Sequence, residues 1–197
     1  MGKIYLDDFG IGEGISETVV TTYNGWNPNA APIGIIRKND KVYIRLFKGS
    51  TTYSNVLKNK LLVANVVYDP ILFVQSTLHH LDNSAFNMES YEEHGIAVLK
   101  GALSWVAFKC INIKETSETL VAEMIPTHAH INQCQIKAPN RGFNLIIEAA
   151  IHATRYKLTK DEKYLKLIKA YRKTIDKCGA EPEKEAIELL MEQLTKI

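Results

Sequence analysis

The chain has 197 residues, of which 46% are hydrophobic and 23% are charged, as is usual for a globular protein of one domain with or without an appendage. The net charge of +2 is too small to indicate a nucleic-acid-binding surface. No segment has the roughly 18 consecutive apolar residues of a membrane span, and the first residues lack the apolar stretch of a signal peptide. We therefore expect no nucleic-acid partner and no membrane association.

Strand signals dominate the first two thirds of the chain. Residues 14–23 are rich in β-branched and aromatic side chains, which favours a strand, and a dense cluster of turn residues follows at 24–29. Residues 31–37 and 41–46 predict two further strands, and the second of them alternates with period two. The Asn39-Asp40 turn between them predicts a hairpin.

A short helix and more strands follow. Residues 51–58 predict the helix, whose N-cap can be Ser50, Thr51 or Thr52. Residues 76–100 carry mixed signals and predict no element. Further strands are predicted, in chain order, at 61–67, 71–74, 102–113 and 119–125.

The last third of the chain is helical in pattern. Residues 144–157 place apolar side chains on one face, and Thr159-Lys160-Asp161-Glu162 has the pattern of a capping box that starts a second helix. Gly179 ends that helix as a C′ glycine, and Pro182 opens a third. The predicted fold class is mainly β with C-terminal helices, in two parts at 1–138 and 139–197.

The cysteines and histidines predict no metal site. The three cysteines are odd in number, widely spaced and without a CxxC pair, which indicates reduced thiols and a cytoplasmic protein. His128 and His130 would share a strand face and could bind zinc with a third ligand, but no acid or cysteine lies at a suggestive spacing. His79 and His80 are adjacent, so their side chains would diverge on a strand or on a helix.

The stretch from Arg45 to Asn55 has the composition of an anion-binding turn. A predicted strand ends at Gly49, and three hydroxyls then stand at a predicted helix N-terminus, whose free N–H groups and dipole favour an anion. Arg45 can bind two phosphate oxygens at once, Lys48 adds a point charge, and Gly49 lets the backbone approach a ligand closely. The pattern predicts a phosphate-sized site, and a capped helix with solvated charges is the alternative.

The preceding strand offers a surface for a flat ring. Asn29-Ala30-Ala31-Pro32 carries small side chains, against which a ring could hydrogen-bond to the main chain. The chain has no G-x-x-x-x-G-K-[ST] loop, and the glycines at 10–14 are not followed by a helix signature. Neither a Walker loop nor a dinucleotide fingerprint is therefore indicated.

These motifs resemble those of a known superfamily. The spacing of Asn29-Ala30-Ala31-Pro32, Lys48-Gly49-Ser50-Thr51, Asn55 and Val63-Ala64-Asn65 is similar to that of the flavin reductase and flavoredoxin group of FMN-binding split barrels. A closer resemblance is to an uncharacterised, mainly archaeal family of that superfamily, domain of unknown function 447. It is carried by the segments 45–55, 65–73, 140–142 and 147–155, and spans about residues 13–160.

The resemblance implies an FMN-binding split β-barrel of six strands, and a homodimer with FMN near its interface. The residues implied to hold the FMN phosphate are Arg45, Lys48, Gly49, Ser50, Thr51 and Thr52. Those implied to line the ring or the ribityl chain are Asn29, Ala30, Ala31, Pro32 and Ile33. Asn55 is implied to form a hydrogen bond nearby. Flavin reductases have an acid after the lysine, where this chain has Gly49. Reductase chemistry therefore does not follow from the turn, and no catalytic residue is implied.

The sequence leaves three functions open. The first is an FMN-dependent oxidoreductase acting on a small molecule. The second is a non-catalytic module that carries or senses flavin or binds another phosphorylated ligand, and the third is a structural dimer whose site is empty. Arg141 is a further candidate contact for phosphate or substrate, and Trp26 or Trp105 could pack on a flavin ring.

Overall fold

The computed structural model describes residues 3–78, 80–91 and 94–196. The chain forms two compact units. The first, called the β unit below, comprises Met1–Tyr68 and Leu81–Cys134, and the second, called the helical unit, comprises Asp69–His80 and Gln135–Ile197.

The β unit contains eight strands and one α-helix among its described residues. The strands are β1 (Gly14–Tyr23), β2 (Pro28–Lys38), β3 (Lys41–Phe47), β4 (Leu61–Val66), β5 (Phe86–Tyr91), β6 (His94–Leu99), β7 (Ser104–Glu115) and β8 (Thr119–Ile131). The helix α1 (Thr51–Asn59) connects β3 to β4.

Six of the strands close into an antiparallel barrel in the order β1-β2-β3-β8-β7-β4, as expected for a split barrel. The β2–β3 hairpin turns at Asn39 and Asp40, whose φ values of 52° and 62° match the primed turns that two-residue hairpins favour. The seam between β1 and β4 is short, since only Val19–Thr21 pairs with residues 63–65. Alternate side chains of the strands fill the interior, where Phe108 is fully buried.

Two elements cover the barrel. Val56 of α1 is buried in the same apolar core as the inward side chains of the strands, so the helix closes the barrel on that side. The β5–β6 hairpin packs Ile96 and Val98 against Trp105 and Ala107 of β7. Residues 76–100, for which the sequence predicted no element, thus contain a hairpin that shields an otherwise exposed apolar face.

The helical unit consists of α2 (Pro70–Leu78), α3 (Arg141–Thr159), α4 (Glu162–Cys178) and α5 (Glu181–Thr195). The prediction of a strand at 71–74 was wrong, because these residues lie in α2. Asp69 accepts hydrogen bonds from the N–H groups of Ile71 and Leu72, at 2.9 and 3.1 Å, and so caps the first turn. Val74 and Leu78 then pack with α3 and α5, and this tertiary burial outweighs the strand preference of the local sequence.

The junction between α3 and α4 also differs from the prediction. Thr159 is the last residue of α3 rather than a cap, and Lys160 ends that helix in the left-handed region with φ 56°. Asp161 caps α4 by accepting a hydrogen bond from the Lys163 N–H at 3.0 Å. The predicted capping box was therefore placed two residues too early.

Gly179 ends α4 for a reason that the sequence did not reveal. Its φ of −81° is available to any residue, so the left-handed cap predicted there does not form. A Cβ on Gly142 would lie 2.7 Å from the Gly179 Cα, and a Cβ on Gly179 would lie 2.8 Å from the Glu183 Cβ. The start of α3 and the α4–α5 turn can approach this closely only because both positions lack a side chain.

Over the part of the chain that the structure describes, no helix combines the length and apolar character needed to cross a bilayer.

We expect Gly142→Ala to lower the free energy of unfolding by about 1–3 kcal/mol, because the new methyl meets backbone that cannot rotate away. Urea denaturation followed by circular dichroism measures this. Gly12→Ala is the matched control, since a Cβ there would have no atom within 4 Å. Equal stability of the two variants would contradict the close-approach explanation.

Candidate functional site

The turn between β3 and α1 forms the centre of the candidate site. Phe47 ends β3, Lys48 and Gly49 make the turn, and Ser50 caps the helix. Gly49 has φ +83°, a conformation that favours glycine, and a Cβ there would meet no atom within 4 Å. The turn therefore leaves open space at Gly49, the residue before the N-cap Ser50.

Two N–H groups at the N-terminus of α1 lack a partner within the helix. The Ser50 hydroxyl accepts a hydrogen bond from the Tyr53 N–H at 3.1 Å and donates one to the Phe47 carbonyl at 3.0 Å, so it serves the helix itself. The N–H groups of Thr51 and Thr52, the first two helical residues, have no partner within a helix. Together with the helix dipole they make a local preference for an anion.

Hydrogen bonds between buried polar side chains connect α1 to β1 and β2. The Asn29 amide donates to the Thr52 hydroxyl at 3.0 Å, and the Asn55 amide donates to the Thr22 hydroxyl at 2.9 Å. All four residues are buried. The structure thus places three of the predicted site residues, Asn29, Thr52 and Asn55, inside the protein, where their side chains position the helix.

The predicted ring-lining stretch lies in β2. Asn29 and Ala30 are buried, whereas Ala31–Ile33 is half-buried. Ala31 is paired with Val20 and Pro32 with Val19 on β1. Small or rigid side chains at these positions leave the strand surface accessible to a flat ligand.

The two predicted cations differ in their surroundings. Arg45 is exposed on β3, opposite Val121 of β8. The Lys48 ammonium lies 2.9 Å from a carboxylate oxygen of Glu115 at the end of β7, and the Lys48 N–H donates to the Glu118 carbonyl at 2.9 Å. Lys48 thus meets the β7–β8 hairpin through both its side chain and its backbone.

Glu115 is a residue of the site that the sequence did not reveal. Its carboxylate accepts hydrogen bonds from Lys48 and, at 3.1 Å, from the Tyr53 hydroxyl. The hydrogen bond from Lys48 lowers the pKa of Glu115, and the same bond raises the pKa of Lys48. No local signal marks Glu115, because it is 67 positions from Lys48 and reaches it only through the folded barrel.

Asn65, part of the Val63-Ala64-Asn65 motif, is fully buried. Its amide donates to the Val19 carbonyl at 2.9 Å and to the Thr21 hydroxyl at 3.0 Å, and its oxygen accepts from the Leu99 N–H at 3.0 Å. Asn65 therefore joins β4 to β1 and to the β5–β6 hairpin, and holds together the short seam of the barrel.

The remaining sequence candidates have surroundings of different kinds. The ring of His128 lies edge-on to that of Tyr91, at a centroid distance of 4.9 Å. The described residues contain no group of three side chains suited to hold a metal ion. In the helical unit, the Arg141 guanidinium donates to the Cys178 sulfur at 3.1 Å. Trp26 is 86% exposed, and Trp105 is buried under the β5–β6 hairpin.

A closed barrel of this strand order, with a glycine turn leading into a capped helix and helices after the last strand, is the split barrel of flavin-reductase-like proteins. The family model "Protein of unknown function (DUF447) N-terminal domain" matches residues 16–133, and the model "Protein of unknown function (DUF447)" matches residues 140–192. The chain belongs to this family, and the resemblance seen in the sequence is confirmed.

Relatives share both the family and the fold. An uncharacterized protein of Methanocaldococcus jannaschii is 30% identical over 195 residues, covering 91% of this chain and 98% of its own length. The crystal structure of an FMN-bound protein of Methanosarcina mazei is 49% identical, with a TM-score of 0.91, and the match covers 96% of this chain and 100% of that one. A flavoredoxin of Methanosarcina acetivorans is 14% identical with a TM-score of 0.53, over 62% of this chain and 72% of that one, and shares the fold.

Proposed function

We propose that this protein binds FMN and is a flavin-dependent oxidoreductase. The observation that carries the proposal is the N-terminus of α1, which has Arg45 and Lys48 beside it and open space at Gly49. The 49% identical protein of Methanosarcina mazei, described as FMN-bound, supports FMN as the ligand.

The phosphate would lie at the β3–α1 turn. The N–H groups of Thr51 and Thr52 would donate to its oxygens, and the open space at Gly49 would admit it. Arg45 is about 7 Å along the strand from Phe47, within reach of the turn for a side chain of its length, and can bind two oxygens at once. These groups match a phosphate dianion without a metal ion.

The flavin ring or ribityl chain would lie along Ala31–Ile33, where the strand surface is partly accessible. Bound FMN supplies one- and two-electron redox chemistry, while the protein supplies binding, orientation and electrostatics. The cysteines have no part in this proposal: all three are free, and burial raises the pKa of Cys110 to about 12, so that thiol stays protonated. Free cysteines accord with a reducing cytoplasm.

We further propose a homodimer that meets through the outer face of the barrel. Phe47, Ile111 and Ile125, on β3, β7 and β8, are 60%, 46% and 45% exposed. Ile111 and Ile125 are neighbours, and Phe47, which pairs with Thr119, lies about 20 Å away along the strands, so the proposed face would extend along β3, β8 and β7. Phe47 directly precedes Lys48, which would place FMN near this interface.

Thr51→Pro tests the phosphate contact most directly. Proline is tolerated at the first helical position, and Ser50 has the extended backbone, φ −78° and ψ 152°, that a following proline requires. The substitution removes the N–H that would bind the phosphate. We expect it, like Arg45→Ala, to weaken FMN binding about tenfold or more, measured by quenching of flavin fluorescence.

Two controls accompany this measurement. Thr51→Ala keeps the N–H and removes only the hydroxyl, so it should weaken FMN binding less than Thr51→Pro does. Riboflavin lacks the phosphate, so its affinity should be the same in all of these proteins. An unchanged FMN affinity in both Thr51→Pro and Arg45→Ala would overturn the phosphate assignment.

The oxidoreductase proposal predicts that NADH or NADPH reduces the bound flavin. Under anaerobic conditions, the absorbance of oxidised flavin should disappear faster in the FMN-loaded protein than in free FMN at the same concentration, because the protein orients the flavin toward the donor. If neither donor gives a faster loss than it does with free FMN, the protein is a flavin-binding module without this activity.

The homodimer predicts twice the chain mass in multi-angle light scattering. Introducing a charge at the proposed face, Phe47→Asp or Ile125→Asp, should shift the population toward the monomer, since an apolar contact would become a buried charge. Leu158→Asp is the control, because Leu158 is also exposed, at 72%, but lies on α3. A wild-type protein that is monomeric at micromolar concentration would refute the dimer.

A further inference from the structure

One of the two cations at the β3–α1 turn is already paired with an anion. The Lys48 ammonium and the Glu115 carboxylate lie 2.9 Å apart, and the two side chains are 35% and 38% exposed. The Tyr53 hydroxyl donates to the same carboxylate oxygen as Lys48, which holds Glu115 in place from the first turn of α1. Glu115 therefore belongs to the wall of the turn although it comes from a distant strand.

A phosphate at this turn would share Lys48 with Glu115. Each anion would lie within hydrogen-bond distance of the same ammonium, so the phosphate and the carboxylate would be only a few ångströms apart. Like charges at such a distance repel each other, although solvent screens partly exposed groups. The attraction of Lys48 for the phosphate is thus offset by the repulsion from Glu115.

We propose that Glu115 is a positioning residue that competes with the phosphate of the flavin for Lys48 and so makes the site release phosphorylated flavin more readily. This inference rests on the proposed function, since it concerns the strength of the same FMN site. Arg45 is then the cation that gives the site its net attraction for phosphate, and Lys48 acts as a shared contact whose orientation Glu115 sets.

The groups around Glu115 set the pH dependence of this competition. Lys48 and the Tyr53 hydroxyl bind its carboxylate, and both lower its pKa. Lys109 and Lys114 are the other charged residues of β7, and Glu118 lies in the turn that follows it. Glu115 therefore remains ionised between about pH 5 and pH 8, while a phosphate monoester gains its second negative charge near pH 6. The repulsion should be larger at the upper end of this range.

Glu115→Gln removes the charge but keeps an oxygen that can accept from Tyr53 and Lys48. We expect FMN to bind about three- to fivefold more tightly to this variant at pH 8, and the gain to fall to about twofold or less at pH 5. Riboflavin affinity should not change at either pH. Titration of flavin fluorescence at fixed ionic strength measures the four dissociation constants of the variant and the four of the wild type.

Two matched variants separate charge competition from other effects. Glu115→Asp keeps the carboxylate, so it should not acquire the tighter, pH-dependent FMN binding of Glu115→Gln. Glu118→Gln removes one negative charge from the same hairpin, where Glu118 meets Lys48 through its backbone carbonyl, and should leave FMN affinity within about twofold of the wild type.

The outcomes distinguish this inference from the proposed function. A wild-type protein that binds no FMN would refute the proposed function itself. If the wild type binds FMN but Glu115→Gln binds it no more tightly than the wild type does, the proposed competition is wrong. It is also wrong if the variant gains as much affinity for riboflavin as for FMN. A tightening that is specific to FMN, larger at pH 8 and absent from Glu118→Gln supports it.

Discussion

The candidate site depends on the attachment of α1 to the barrel. Two buried amide-to-hydroxyl bonds, Asn29 to Thr52 and Asn55 to Thr22, hold the helix against β1 and β2. Loss of either partner in one of these bonds would leave a buried polar group unpaired. That lowers the free energy of unfolding by about 1–3 kcal/mol. The position of the helix N-terminus is therefore determined by the strands rather than by the turn that precedes it.

This attachment decides which parts of the motif are left for a ligand. The Ser50 and Thr52 hydroxyls are used within the protein, by the helix cap and by Asn29. What remains at the turn is the exposed Thr51 hydroxyl, the N–H groups of Thr51 and Thr52 and the space at Gly49. A site built from backbone donors recognises the charge and size of a phosphate, and the rest of the ligand must be recognised along β2.

Local sequence patterns predicted those helices and strands that the preferences of their own residues determine. Residues 14–23 were predicted as a strand from their β-branched content, and β1 has those bounds. The strand predicted at 71–74 failed because the same residue types fit a buried helix, and the choice was made by packing against α3 and α5. The cap at Asp161 was missed for a related reason, since Thr159 and Asp161 are both good caps and only the length of α3 selects between them.

The part of the candidate site whose residues are adjacent in the sequence was predictable from the sequence. The residues from Arg45 to Asn55 stand together in the sequence, so the turn and the helix N-terminus could be predicted from local patterns. The orientation of Asn29 into the protein and the contact between Lys48 and Glu115 could not, because both require strands that are distant in sequence to lie side by side.

The contact between Lys48 and Glu115 changes what Gly49 implies about the charge of the turn. In sequence, Gly49 stands where flavin reductases carry an acid beside the lysine, and residues 45–55 contain no carboxylate. In the fold, Glu115 brings a carboxylate to the same lysine from the end of β7. A local departure from a motif therefore does not show that the turn lacks a carboxylate, since a neighbouring strand can supply one. The electrostatics of such a turn must be judged from the assembled barrel, in which Lys48 already has a partner before any ligand arrives.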